Sequence, residues 1–289
     1  MPTVNDNYPK KDNFEMSDAE LKQLAIQNMQ REEVKSSGFP TEMISLPSKG
    51  LVYPEGNPLR EGKVEMKYMT AREEDILTSQ NLIKQGIVLD RLMQSMIVSP
   101  IKFDDLITGD KNALMIAARV LGYGKDYDVE ITCPNCGEKS QTNVDLTLMP
   151  AYELPEEVTM VSPGIFEFTL PQSQRVIHFR LLTNGDDKRI TKTLEVQKKQ
   201  NKLNGGVDRE LTTRLKSIIV SVDGNADSRY VSEFVDNELF ALDSRALRMY
   251  MKGVTPDQKF EVEFNCSNCG HEEGGVGFNV DTNFFWPKS

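Results

Sequence analysis

Residues 128–137 read DVEITCPNCG, and residues 261–270 read EVEFNCSNCG. The second phrase repeats the spacing of the first, and all four cysteines of the chain (Cys133, Cys136, Cys266 and Cys269) fall within the pair. A C-x-x-C turn holds two thiolates about one metal ion apart, and two such turns complete a tetrahedral zinc shell. Gly137 and Gly270 each follow a second cysteine, where a knuckle needs backbone that accepts positive φ. Alternating apolar residues lead into each turn: Val129 and Ile131 in one, Val262 and Phe264 in the other. Two hairpins closing one structural zinc ribbon are the expectation. Redox-active or simply buried thiols are the other readings of such pairs.

The likeness extends upstream of the cysteines. Leu106, Asp110, Ala113 and Leu114 fall on Leu239, Asp243, Ala246 and Leu247 without a gap. Further back, Arg91-Leu92 through Ile97-Val98-Ser99 matches Arg214-Leu215 through Ile219-Val220-Ser221 with one residue of slack. Val64 to Thr70 resembles Val176 to Thr183, and Ser45-Leu46-Pro47-Ser48 resembles Thr169-Leu170-Pro171-Gln172. An internal repeat explains five landmarks in one order, whereas chance must supply each separately. The fold expected is α+β: two duplicated mixed units joined by the four-cysteine ribbon, related by an approximate twofold axis near the metal. The organisation that follows is an N-terminal tail and amphipathic helix over 1–42 and a first unit over 43–145. A linker covers 146–165, a second unit 166–280 and an aromatic tail 281–289.

Within each unit, Thr70-x-x-Glu73 and Thr183-x-x-Asp186 read as helix starts, the first helix running toward Lys84 and the second to about Asn201. Asp110 and Asp243 read as N-caps. Residues 201–206, NKLNGG, read as a flexible tip. Near the N-terminus Ser17-Asp-Ala-Glu20 is a capping box, and Leu21, Leu24, Ala25 and Met29 line one face of the helix it opens. That helix either packs on its own domain or docks on another subunit. The same two readings apply to Phe284-Phe285-Trp286, a plug folded onto the core or an anchor for a partner. The opening around Leu46, Pro47 and Tyr53 is a third candidate docking segment.

Composition narrows the chemistry. The formal net charge of −10 over 289 residues repels phosphate backbones and counts against nucleic acid as a partner. No apolar run approaches the ~20 residues of a membrane span, and the polar first residues lack a signal-peptide core. Paired cysteines without a secretion signal fit metal ligation in a reducing cytoplasm. There are two histidines, His178 in an alternating stretch and His271 just past a knuckle. Four thiolates fill a tetrahedral shell and leave no position for a reacting water, so no enzymatic site is expected. Asp104-Asp105 and Glu73-Glu74-Asp75 read as solvated helix starts. Residues 56–63, GNPLREGK, miss the phosphate-loop spacing by one residue and put Val64 where a hydroxyl is required.

Several phrases together resemble a known family. Leu46-Pro-Ser-Lys-Gly50-x-x-Tyr53-Pro54, Tyr68-Met-Thr70-x-x-Glu73-Glu74, Gly109-Asp110, Tyr123-Gly124-x-x-Tyr127, the two knuckles and Phe284-Phe285-Trp286-Pro287 are similar to the baseplate hub and hub-assembly proteins of T-even-like contractile-tailed phages. The second half keeps Leu170-Pro171 but lacks the Lys-Gly-x-x-Tyr-Pro extension. The resemblance implies a non-enzymatic component of a tail baseplate hub, present in the host cytoplasm during assembly and in the virion tail if retained. Its implied partners are other baseplate or tail subunits, with a homo-oligomer within the hub as an option. A zinc-ribbon adaptor for nucleic acid or transcription machinery is the alternative.

Overall fold

Strand β1 (Thr41–Ser45) and strand β2 (Lys63–Lys67) pair antiparallel, with Ile44 opposite Val64 and Glu42 opposite Met66. The alternation Val64-x-Met66 puts both side chains at full burial. Between the strands the chain makes two turns that touch backbone to backbone. Gly50 and Gly62 carry φ of 78° and 70°, and a Cβ on Gly50 would lie 2.3 Å from the Arg60 carbonyl oxygen, so no other residue fits. This stretch is a tight double turn and not a phosphate cradle. The computed structural model describes residues 38–204, 206–278 and 282–285, together with Met29. Apart from Met29, the helix expected after the Ser17 capping box lies outside the described residues, as do Gly205 and Trp286.

Beyond β2 come helices α1 (Ala71–Thr78), α2 (Gln80–Lys84), α3 (Val88–Met96) and α4 (Thr108–Tyr123). Strands β3 (Asp126–Thr132) and β4 (Lys139–Asp145) form the first cysteine hairpin. Two short strands follow, β5 (Ala151–Tyr152) and β6 (Met160–Ser162). The second half then runs β7 (Ile165–Thr169), β8 (Val176–Arg180), α5 (Asn184–Asn204), α6 (Glu210–Ile218) and β9 (Ile219–Val222). It continues with α7 (Ser228–Asn237), α8 (Ala241–Val254), β10 (Asp257–Gln258), β11 (Glu261–Asn265) and β12 (Glu272–Gly277). The largest sheet has the order β6-β7-β8-β9, while β1-β2, β3-β4, β11-β12 and β5-β10 are separate pairs. The chain is therefore mixed α and β, with helices packed on small sheets, as the sequence pattern indicates.

The halves place the same parts in the same order: a hairpin, helices, a return to the hairpin, a long helix and a cysteine hairpin. Side chains fix corresponding joints in the same way. Asp110 accepts Ser48 N–H at 3.0 Å and Ser48 Oγ–H at 2.6 Å, and Asp243 accepts the amides of Gln172 at 2.7 Å and Ser173 at 3.0 Å. In each half a buried aspartate on the long helix thus holds the Leu-Pro turn of its hairpin. Glu73 accepts Thr70 N–H and Oγ–H and pairs with Lys67 Nζ at 2.8 Å. Asp186 accepts Thr183 N–H and Oγ–H and pairs with Arg180. Helices α3 and α6 both end on an isoleucine, Ile97 or Ile219, at nearly equal dihedrals (φ −75°, ψ 121° and φ −73°, ψ 122°). Ile97 bridges to Met66 and Ile219 pairs with Phe179. These joints put Thr70 on Thr183 and hence Val64 on Ile177, one residue from the alignment of Val64 with Val176.

Several expectations need correction. Asp110 and Asp243 sit in the third position of α4 and α8, where their side chains reach across to the hairpin turns instead of capping. Glu73 is fully buried, so it is a paired interior charge and not a solvated helix start. The helix toward Lys84 breaks at Ser79, which has extended backbone (ψ 103°). Just before the break the Thr78 hydroxyl bonds the Glu74 and Asp75 carbonyls, the competition by which hydroxyl residues loosen a helix. The opening turn is interior: Leu46 and Tyr53 are 2% and 3% exposed, and Tyr53 Oη donates to Asp110. The Leu46, Pro47 and Tyr53 side chains are therefore not available to a partner, and the exposed residues of the turn are Lys49 and Leu51. The tip at 201–206 is helical through Asn204.

The chain from Pro40 onward is one compact unit, and one apolar cluster runs from Leu46 to Phe285 across both halves. Polar contacts weld the halves where α5 begins. Lys111 bonds Asp90 at 2.8 Å and Asn184 at 2.7 Å, while Lys188 bonds Asp90 at 2.9 Å and Asp104 at 2.6 Å. Asn184 N–H also donates to Leu106 O at 2.7 Å. Among the described residues no helix is long and apolar enough to cross a membrane.

Candidate metal centre

Each cysteine pair sits on the turn of a two-stranded hairpin, and the two turns are built alike. Cys133 N–H donates to Glu138 O at 2.8 Å and Gly137 N–H to Cys133 O at 2.9 Å. In the other hairpin Cys266 N–H donates to His271 O and Gly270 N–H to Cys266 O, both at 2.9 Å. Gly137 and Gly270 take φ of 74° and 69°, the left-handed geometry expected of the residue after each second cysteine. Val129 and Ile131, and likewise Val262 and Phe264, turn inward along the strands and root the hairpins in the core.

The hairpins meet at their tips and bring together four sulfurs from two places in the chain. Cys133 Sγ lies 3.7 Å from Cys269 Sγ, and Cys136 Sγ lies 3.7 Å from Cys266 Sγ. All four fall within 4.8 Å of one another. Four sulfurs each about 2.3 Å from a central zinc would stand about 3.8 Å apart. The donor set and its spacing therefore fit a tetrahedral soft-metal ion. Cys133 and Cys266 are buried while Cys136 and Cys269 face solvent, so each pair contributes one inner and one outer thiol.

The asparagines inside the turns add a layer that the cysteine spacing did not reveal. Asn135 Nδ2 reaches Cys269 Sγ at 3.6 Å, and Asn268 Nδ2 reaches Cys136 Sγ at 3.7 Å. Each carboxamide thus donates to the outer sulfur of the opposite hairpin. The signal was present, since both phrases read C-x-N-C. His271 contributes through its backbone, while its ring lies 3.3 Å from Glu273. The His271 amide, aided by Asn135, holds the Cys269 thiol down at about 6. The Glu138 amide does the same for Cys136, but burial and neighbouring sulfurs outweigh it and push that thiol up to about 11. Crowded thiols oppose one another's ionisation, a conflict that a divalent cation removes.

Beneath the sulfurs an aromatic cluster joins the roots of both hairpins. Phe284 is fully buried, with ring centroids 5.0 Å from Tyr127 and 5.9 Å from Phe260. Phe278 meets Tyr127 at 5.9 Å and Phe260 at 5.8 Å. Arg119, 2% exposed, fixes this arrangement through three carbonyls: Phe284 O at 2.8 Å, Gly124 O at 2.8 Å and Asp126 O at 3.2 Å. Of the two readings of the aromatic terminus, Phe284 and Phe285 follow the plug. His178 is half-buried in β8 beside Glu167 at 3.2 Å, far in sequence from the cysteines and in no cluster with them.

No curated protein and no solved structure matches the chain. A family model described as T4 bacteriophage base plate protein matches residues 43–286, a span from the first strand through both cysteine hairpins to the aromatic terminus. With most of its length inside that match, the chain belongs to the T4 bacteriophage base plate protein family.

Proposed function

We propose that this baseplate protein is a non-enzymatic structural or assembly component of the tail hub, its two cysteine hairpins locked together by one structural zinc. The observation that carries the reading is the meeting of two knuckles through sulfurs 130 and 136 residues apart in sequence, at 3.7 Å spacing. Cys133, Cys136, Cys266 and Cys269 would hold the ion, and four thiolates would fill its shell. Bound there, zinc supplies a cross-link. The shared order of elements and the matching Asp110/Asp243 and Glu73/Asp186 joints support an internal duplication. In that reading an approximate twofold axis passes near the metal. Its partners are other tail subunits, and its place is the virion tail if it is retained after assembly.

Metal analysis of the purified protein tests the site directly: about one equivalent of zinc is expected, and Cys133→Ser with Cys266→Ser should abolish it. A metal content near zero in protein purified without chelators would overturn the zinc assignment. Assignment to the hub is tested by immunogold labelling or electron microscopy of hubs assembled with a tagged chain. Label confined to the peripheral baseplate would refute it.

A further inference from the structure

The halves differ at one sheet edge. In the second half β7 is flanked on its outer side by β6, with Met160 opposite Phe166 and Ser162 opposite Ile165. In the first half β1 holds the corresponding place, yet among the described residues no strand lies on its outer side. Bonds from Leu46 N–H to Gly62 O at 2.9 Å and from Tyr68 N–H to Pro40 O at 3.4 Å set the phase of the β1–β2 ladder. Even-numbered residues face β2, so the N–H and C=O groups of Thr41, Met43 and Ser45 point away from it. Met43 stands in the middle of the strand, 56% exposed. Edge strands are commonly blunted by a charge, a proline or a bulge. Of these β1 carries only the single charge of Glu42; no bulge interrupts it, and Pro40 and Pro47 only bound it.

We propose that the outer edge of β1 is a docking site for an extended strand of another baseplate subunit, added antiparallel as β6 adds to β7. The second half shows what this edge accepts: a short strand, Met-Val-Ser, that extends the ladder from outside. Glu42 occupies the place of Phe166 and is exposed where Phe166 is buried. Tyr68 Oη already donates to Glu42 and leaves its charge exposed, so the incoming strand carries a cation opposite Glu42 and an apolar side chain against Met43. A second copy of this chain fits poorly, because pairing two chains of net charge −10 would also bring two Glu42 side chains to one seam. This proposal rests on the chain being an assembled baseplate subunit.

The test uses baseplates purified from an infection in which this gene is inactive, mixed with the full-length chain. Met43→Pro removes an N–H that faces outward and none that bonds β2, so the fold should persist, as thermal melting would verify. Its retention on those baseplates should fall about tenfold, the loss of one backbone hydrogen bond. Met43→Ala, which keeps the N–H, should stay within about threefold. Hydrogen exchange of peptides spanning 40–46 should slow when the wild-type chain joins, and this measurement decides even if Met43→Pro fails to fold. Wild-type retention of Met43→Pro would overturn the proposal. So would strong protection of the outward-facing Thr41, Met43 and Ser45 amides in the isolated chain, since its own residues or a second copy would then cover the edge. If the wild-type chain itself does not join, the reading as an assembled subunit fails and the proposal falls with it.

Discussion

At the scale of single residues, buried carboxylates do the joining that elsewhere falls to caps and surface pairs. Burial alone would raise the Asp186 carboxyl, but the Arg180 guanidinium and the Thr183 amide and hydroxyl outweigh it and hold it at about 2. Glu73 is likewise held below its ordinary value, burial being outweighed by Lys67 and Thr70. A carboxylate depressed in the folded state stabilises the fold above its unfolded value, and that stability is lost as pH falls through the folded one. For Asp186 the window runs from 3.8 down to about 2. At pH 7 Asp186→Asn should therefore cost about 2 kcal/mol, and the difference from wild type in urea unfolding should shrink toward zero by about pH 2. A penalty independent of pH would mean the ion pair is not its source. Arg119 makes a second case. Lysine keeps its charge but cannot reach three carbonyls at once, so Arg119→Lys should destabilise by about 2 kcal/mol. It should also speed hydrogen exchange near Phe284, and unchanged exchange there would refute the pinning role.

Among elements, α4 and α8 show how corresponding helices diverge under packing. Gly109 lies in the first turn of α4, where an added Cβ would come within 2.0 Å of Pro256 O and 2.6 Å of the Asp257 Cα. Gly253 lies near the end of α8 with nothing within 4 Å of such an atom. The same substitution should then have opposite signs. Gly109→Ala should cost about 2 kcal/mol or more by forcing β10 away, while Gly253→Ala should gain about 0.5 kcal/mol from helix propensity. Equal effects in thermal melts would show that the approach of Pro256 is not what fixes Gly109. The elements most legible in the sequence carry local signals: the knuckle glycines, the Thr-x-x-acid helix starts and the alternating strands before each cysteine. β5 and β6 were not legible, because strands of two and three residues hold too few positions for alternation to register. The break at Ser79 was hidden for a related reason, since hydroxyl residues are tolerated in helices and nothing local marks where one wins.

For the molecule as a whole, the order of landmarks in each half was legible because each spans only a few residues. The sharing of one core was not, since Arg119 with Phe284, Asn112 with Asp257 and Lys111 with Asn184 join distant residues and leave no periodic trace. This shared core determines what metal removal should do. The proposed zinc closes a loop of well over 100 residues, and by analogy with a disulfide of that span its loss costs about 4–5 kcal/mol. In a chain of this size that corresponds to a fall in melting temperature of about 10–20 °C. The halves should nevertheless stay together, because the polar weld at Asn184 and the continuous apolar cluster do not depend on the sulfurs. After chelation, or in Cys266→Ser, hydrogen exchange should therefore accelerate in β3, β4, β11 and β12 and leave α4 and β8 protected. Uniform loss of protection across both halves would make the ribbon, not the core, the element that holds them. Undiminished stability with the metal confirmed absent would remove zinc from the account altogether.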